Sequence, residues 1–174
     1  MGMLVGMLKI AAAQKHAVIF NSYNAAGVVV GKSSNEFTAQ TENGIKFKTW
    51  FIGAGFGLDN YYKKTLPLFG AIKKEFPVKN NNLLLYANLG TNIIAGDKEV
   101  RNSFSKLSTT GGTYFDAGIG YKVKVSSKSG VYFTVGNSVK HIKETETSLD
   151  AGFPYYFTTR RRLSCISLRL GYQF

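Results

Sequence analysis

The chain ends Ile166-Ser167-Leu168-Arg169-Leu170-Gly171-Tyr172-Gln173-Phe174, and this stretch decides the fold. Its even positions are large and apolar (Ile166, Leu168, Leu170, Tyr172, Phe174), and its odd positions are small or polar (Ser167, Arg169, Gly171, Gln173). Unbroken period-two alternation predicts a β-strand with one apolar and one polar face. A closing aromatic is expected of a membrane β-barrel, whose last strand sets a ring at the lipid–water interface. A soluble domain more often frays into water at its end.

The rest of the sequence agrees with a barrel. Its 174 residues predict one domain. Hydrophobic residues make up 44% and the mean hydropathy is −0.07, and no apolar run approaches the ~20 residues of a spanning helix. Barrels escape such averages because lipid-facing and inward residues alternate. The composition of 19 Gly, 10 Tyr and 13 Phe against 3 Pro favours strands over helices. Cys165 is the single cysteine, so no internal disulfide or cysteine-based metal cluster is available. The net charge of +12 is spread over strand ends and loops without a nucleic-acid motif, which favours an anionic membrane surface as partner over nucleic acid. Residues 1–15 read as a candidate export-signal remnant, with apolar Met3 to Leu8 and a small-residue Ala11-Ala12-Ala13 site. Lys9 and the lack of a basic start leave a strand-like N-terminus as the alternative. Residues 16–174 then form the barrel domain.

Alternation recurs in eight segments: 23–31, 36–43, 49–58, 66–76, 83–95, 114–125, 131–140 and 159–174. The connections after the second, fourth and sixth are short and rich in turn formers: Asn43-Gly44, 78–82 and 126–130. The others vary, and the last two, 96–112 and 143–158, are long. This asymmetry sets the tight turns and both chain ends on one rim, as in outer-membrane barrels. The prediction is an all-β, eight-stranded, antiparallel up-and-down transmembrane β-barrel.

Several motifs carry a resemblance. They are Gln40-Thr41-Glu42-Asn43-Gly44-Ile45-Lys46-Phe47-Lys48-Thr49-Trp50-Phe51, Gly53-Ala54-Gly55-Phe56-Gly57-Leu58-Asp59-Asn60-Tyr61-Tyr62, Leu66-Pro67-Leu68-Phe69, the 111–121 run, and Arg162-Leu163-Ser164. Over roughly residues 23–174 the chain resembles the small outer-membrane β-barrel proteins of Bacteroidota. The resemblance implies a fold and an outer-membrane location, and no reaction. It departs at Ala71, where similar proteins often carry an acid. The apolar parity of Leu168, Leu170, Tyr172 and Phe174 also resembles the C-terminal signal that barrel-assembly machinery reads during insertion.

An eight-stranded barrel has an interior that side chains can fill. The inward parity supplies Glu42, Lys73, Glu75, Asp116, Lys122, Lys140 and Arg169. Both signs of charge are present, and buried charge demands pairing, so Asp116 and Glu75 should each meet a lumenal Lys or Arg. Inward Gly53, Gly55, Gly118 and Gly120 leave room for tyrosines; a ligand cavity is the other reading. Arg160, Arg161 and Arg162, with Lys63, Lys64, Lys98, Arg101, Lys140 and Lys143, lie towards the long-loop rim, where they would meet lipopolysaccharide phosphates or simply snorkel among lipids.

Catalytic signals are weak. His141 with Asp150 and one of Ser103, Ser105 or Ser148 is the sole candidate for a rim acyltransferase or protease. No cofactor or metal motif is present. The expectation is a non-enzymatic outer-membrane barrel acting structurally or through loops 96–112 and 143–158, the latter containing the apolar Phe153-Pro154-Tyr155-Tyr156-Phe157. A carrier or narrow channel for small apolar ligands is one alternative. A soluble lipocalin-like barrel, with the apolar parity inward, is another.

Overall fold

The computed structural model describes residues 18–32, 34–96, 99–101, 105–126, 128–148 and 155–174. The candidate export signal lies outside these residues. Among the described residues nine strands follow in order: β1 (Ile19–Val30), β2 (Asn35–Phe47), β3 (Trp50–Asp59), β4 (Thr65–Val78), β5 (Asn81–Ile94), β6 (Glu99–Arg101), β7 (Ser105–Lys124), β8 (Gly130–Ser148) and β9 (Tyr156–Gln173). All pairings are antiparallel. Each strand pairs with the next in sequence up to β5, which pairs with β7, while β9 returns to β1. The sheet therefore closes on itself through eight strands. The ninth strand, β6, is a short addition on the free edge of β7, pairing Glu99–Arg101 with Ser108, Leu107 and Lys106. Its three residues are too few to show a period, which is why eight segments were expected.

Three expected connections are wrong in place. Asn43-Gly44 is not a turn: β2 runs through it, with Asn43 opposite Ala54 and Gly44 opposite Gly53. A side chain at Gly44 would meet the Ile52 carbonyl oxygen at 2.2 Å, so this glycine serves close strand approach. The turn is Lys48-Thr49, with Lys48 in the left-handed region at φ 56°. The described residues of 96–112 and 143–158 are largely strand as well. Beyond the ring, β7, β8 and β9 continue as a paired extension, with Ser105 opposite Ser148 and Thr147 opposite Tyr156. A register shift between Gly111 and Tyr114 marks where this extension leaves the ring. The bulge's free carbonyl is taken up by Thr91 Oγ1 and Asn92 Nδ2, which donate to Gly112 O at 3.0 and 3.1 Å.

The closed sheet has an inverted polarity. Each ring strand exposes large apolar side chains outward, among them Val28, Ile45, Ile52, Ile72, Leu85, Ile119, Val135 and Leu170. The turns 48–49, 79–80 and 125–129 share one rim, where Ser22 and Phe174 exchange backbone hydrogen bonds of 2.8 and 3.1 Å.

Candidate functional site

The seven inward charged residues, Glu42, Lys73, Glu75, Asp116, Lys122, Lys140 and Arg169, all lie inside the closed sheet, none more than 3% exposed. They form successive ion-paired layers. Nearest the turn rim, Glu75 meets Lys122 and Lys46, the latter at 2.7 Å, and accepts hydrogen bonds from Tyr23 Oη (2.7 Å) and Asn82 Nδ2 (2.5 Å). Gln173 closes that end, accepting from Lys122 at 3.2 Å and donating to Asn21 and to the Lys128 carbonyl.

In the middle, Lys73 pairs with Glu42 at 2.8 Å and lies 4.9 and 5.2 Å from the ring centres of Tyr23 and Tyr86. Beside it Arg169 pairs with Asp116, which also accepts from Tyr86, Tyr114 and Ser167. Towards the long-loop side Lys140 pairs with Asp59 at 3.1 Å and donates to Thr65 and the Lys63 carbonyl. Asp116 and Glu75 thus each meet a cation, and Asn88 stands at the register position of Ala71, donating to Glu42 at 3.2 Å.

Aromatic rings fill the space between layers. Tyr23 meets Phe51 and Tyr132 edge-on at 4.8 and 5.5 Å, and Phe69 lies 5.5 Å from Tyr114. Glycines supply the room: a Cβ would meet Phe69 at 2.6 Å from Gly55, Tyr86 at 2.1 Å from Gly136 and Tyr132 at 2.4 Å from Gly171.

Two charged members of this network escape the sequence reading. Lys46 falls beyond the misplaced turn at Asn43-Gly44, which ended its strand too early. Asp59 has the inward parity of Phe51, Gly53 and Gly55, so its signal was present, but it sits at a strand end where period two gives out.

The rim residues separate. Arg161 points to the inner face of the extension. Its Nε donates to Glu144 Oε2 at 2.6 Å, and Tyr62 Oη donates to the other oxygen at 3.0 Å. Arg160 and Arg162 are exposed on the opposite parity, in register with Lys143 and His141. The three arginines therefore do not share a face. Lys63 and Lys64 sit in the β3–β4 connection, their carbonyls holding Lys140 and the Ala95 N–H. Lys98 lies outside the described residues, and Arg101 is exposed on β6. Leu170, Tyr172 and Phe174 face outward, with Leu168 partly covered on the same face.

Burial alone would raise the Glu144 carboxyl, but hydrogen bonds from Arg161 and Tyr62 outweigh it and hold the group below the ordinary glutamate value. A depressed folded-state value means that the contact contributes stability above the unfolded value of about 4.3 and loses it as pH falls through the lower folded value. The Tyr62 ring resonances, followed by NMR from pH 6 to 3, should shift with a midpoint below 4.3, and Glu144→Gln should abolish the transition.

His141 faces out of the ring, with Nδ1 2.8 Å from Thr113 Oγ1, while Ser138 is buried inside. Asp150 and Ser103 lie outside the described residues. Among the described residues no group of His, Cys, Asp and Glu is placed to hold a metal ion.

Compared with known proteins, the chain matches no protein-family model and no curated protein. Among solved structures it is similar to the outer membrane protein AlkL, determined by solid-state NMR in DMPC lipid bilayers. That similarity has a TM-score of 0.48 at 11% identity and covers 93% of this chain and 92% of that one.

Proposed function

We propose that this chain is a non-enzymatic integral outer-membrane β-barrel. Its sealed interior makes it a rigid anchor that presents the β6–β9 extension for surface interactions. The observation that carries the reading is the inverted polarity: ion pairs and tyrosine hydroxyls inside, large apolar side chains outside on every ring strand. In water such a wall would be an aggregation surface, whereas in lipid every ring strand has its backbone paired and its apolar face solvated. Even the shortest ring strand, β3, has 10 residues, within the ~9–11 that a tilted strand needs to cross. Exposed aromatics near the turn rim, including Phe47, Trp50, Phe76, Tyr121, Tyr172 and Phe174, match an interfacial girdle. The motif resemblance to Bacteroidota barrels supports the same reading.

A soluble lipocalin-like barrel needs the opposite polarity. A carrier or channel for apolar ligands needs an open lumen, and here the layered ion pairs would have to part. Lipopolysaccharide contact, if made by this rim, falls to Arg160, Arg162 and Lys143, because Arg161 is engaged by Glu144.

The test is heat-modifiable migration on a detergent gel after expression in a Gram-negative host, with single-channel recording on the purified protein. The expected result is a compact band converted to an unfolded one by boiling, recovery in the outer-membrane fraction, and no steady conductance. Migration unchanged by boiling, with the protein soluble without detergent, would reject the membrane reading. In the same assay Phe174→Asp should sharply lower the folded fraction, because it puts a charge at the seam with β1 and on the parity proposed for recognition by the assembly machinery.

A further inference from the structure

The outward face of β4 reads Leu66, Leu68, Gly70, Ile72, Lys74 and Phe76, a lipid-facing row with one charged residue in it. Lys74 is partly buried. Its ammonium lies 4.5 Å from the ring centre of Trp50 and 5.9 Å from that of Phe76, and it donates to Thr49 Oγ1 at 2.8 Å. Among the described residues no carboxylate pairs with it. The exposed or partly exposed acids Glu36, Glu99 and Glu146 belong to the long-loop side, whereas the turn rim adds the exposed Lys48, Lys79, Lys124 and Lys128. Among the described residues the exposed charged side chains of this rim are all cationic.

Directly against Lys74 the wall has a groove of about 500 Å³, lined by Trp50, Ile72, Phe76 and Leu85 over a floor of Ala87 and Ala117. The register explains it. Trp50, Lys74, Leu85 and Ile119 form one cross-strand row, and in the next row Ala87 and Ala117 stand beside Ile52 and Ile72. The two small side chains leave the depression, and its mouth is the lysine.

We propose that this groove is a binding site for an anionic phospholipid of the turn-side leaflet, one acyl chain lying over Ala87 and Ala117 and the phosphate on Lys74. The inference rests on the membrane-barrel reading above. Its chemistry is complementary at both ends: an apolar trough takes the chain, and a cation without a protein counter-ion, fixed between two rings at the interfacial girdle, takes the headgroup. A zwitterionic lipid could fill the trough but would bring no net charge to the mouth.

Trp50 is the sole tryptophan, so its fluorescence reports this site alone. The protein is reconstituted into vesicles in which phosphatidylglycerol or phosphatidylcholine carries a brominated acyl chain, and quenching is read relative to the unbrominated lipid. The expected result is about a fivefold preference for phosphatidylglycerol, the fold-change corresponding to ~1 kcal/mol for one lysine at an anionic lipid surface. Lys74→Gln should remove the preference, Lys74→Arg should keep it, and Lys124→Gln, which removes one rim charge elsewhere, should leave it unchanged. Equal quenching by the two lipids, or a preference that survives Lys74→Gln, overturns the proposal. So does one that falls equally with Lys124→Gln, which would mean a diffuse rim field. Quenching by neither lipid would place Trp50 outside the bilayer and reject the membrane reading itself, so the two failures are distinct.

Discussion

Replacing Asp116 with alanine should destabilise the folded protein by about 3–5 kcal/mol, the cost of leaving one partner of a buried ion pair behind. Arg169 is 2% exposed and Asp116 is fully buried. In the variant the guanidinium loses its carboxylate, and Tyr86, Tyr114 and Ser167 lose the oxygen atoms that accept from them. Water cannot easily replace that oxygen among packed rings. The double variant Asp116→Ala with Arg169→Met should be more stable than Asp116→Ala alone, because it removes the orphaned charge, yet less stable than the wild type, because the hydroxyls stay stranded. Urea titration of refolded protein in detergent micelles, run as a double-mutant cycle, measures this coupling. Additive effects of the two substitutions would show that the pair is not coupled.

The second large effect is expected at the seam where the sheet closes. Gly27 lies opposite Arg169 on β9 and Thr38 on β2. A Cβ there would sit 1.9 Å from the Leu168 carbonyl oxygen and 2.7 Å from the Arg169 Cα. Both obstacles are backbone, so no side-chain rotation relieves them; β1 and β9 must separate, at the strand pair that completes the ring. Gly27→Ala should therefore cost about 3 kcal/mol, the upper end of ordinary overpacking, and should slow or prevent recovery of the heat-modifiable band. Gly96, whose Cβ would meet nothing within 4 Å, is the matched control, and Gly96→Ala should fold like the wild type. Equal yields from the two variants would mean that the seam tolerates a side chain.

The elements that reveal themselves in the sequence share a physical origin. In β5, β7 and the ring part of β9, each residue's face is set by its immediate neighbours, so Leu85 and Asn88, or Leu170 and Arg169, announce their sides without reference to the rest of the chain. The upper parts of β7 and β8 do not. Ser105 to Gly111 and Lys143 to Ser148 are small, polar and nearly unpatterned, so they read as loop, yet they pair with one another in the structure. Their strand character comes from continuing a ladder that the apolar segments begin. Asn43-Gly44 is the converse case: a strong local turn signal overruled because Gly44 faces Gly53 across two closely approaching strands.

The sequence by itself determined which side chains share a face, and therefore that seven charged residues would lie together on the face opposite Leu85, Ile119 and Leu170, because period two is a property of the extended backbone. Only the tertiary structure decided who meets whom. Glu75 lies 29 residues from Lys46 and 47 from Lys122, and Asp116 lies 53 from Arg169. These partners are brought together by the registers of strands that pair over long sequence separations and by closure of β9 on β1. Such registers are fixed by backbone ladders around the whole ring, so no local stretch, 166–174 included, contains them.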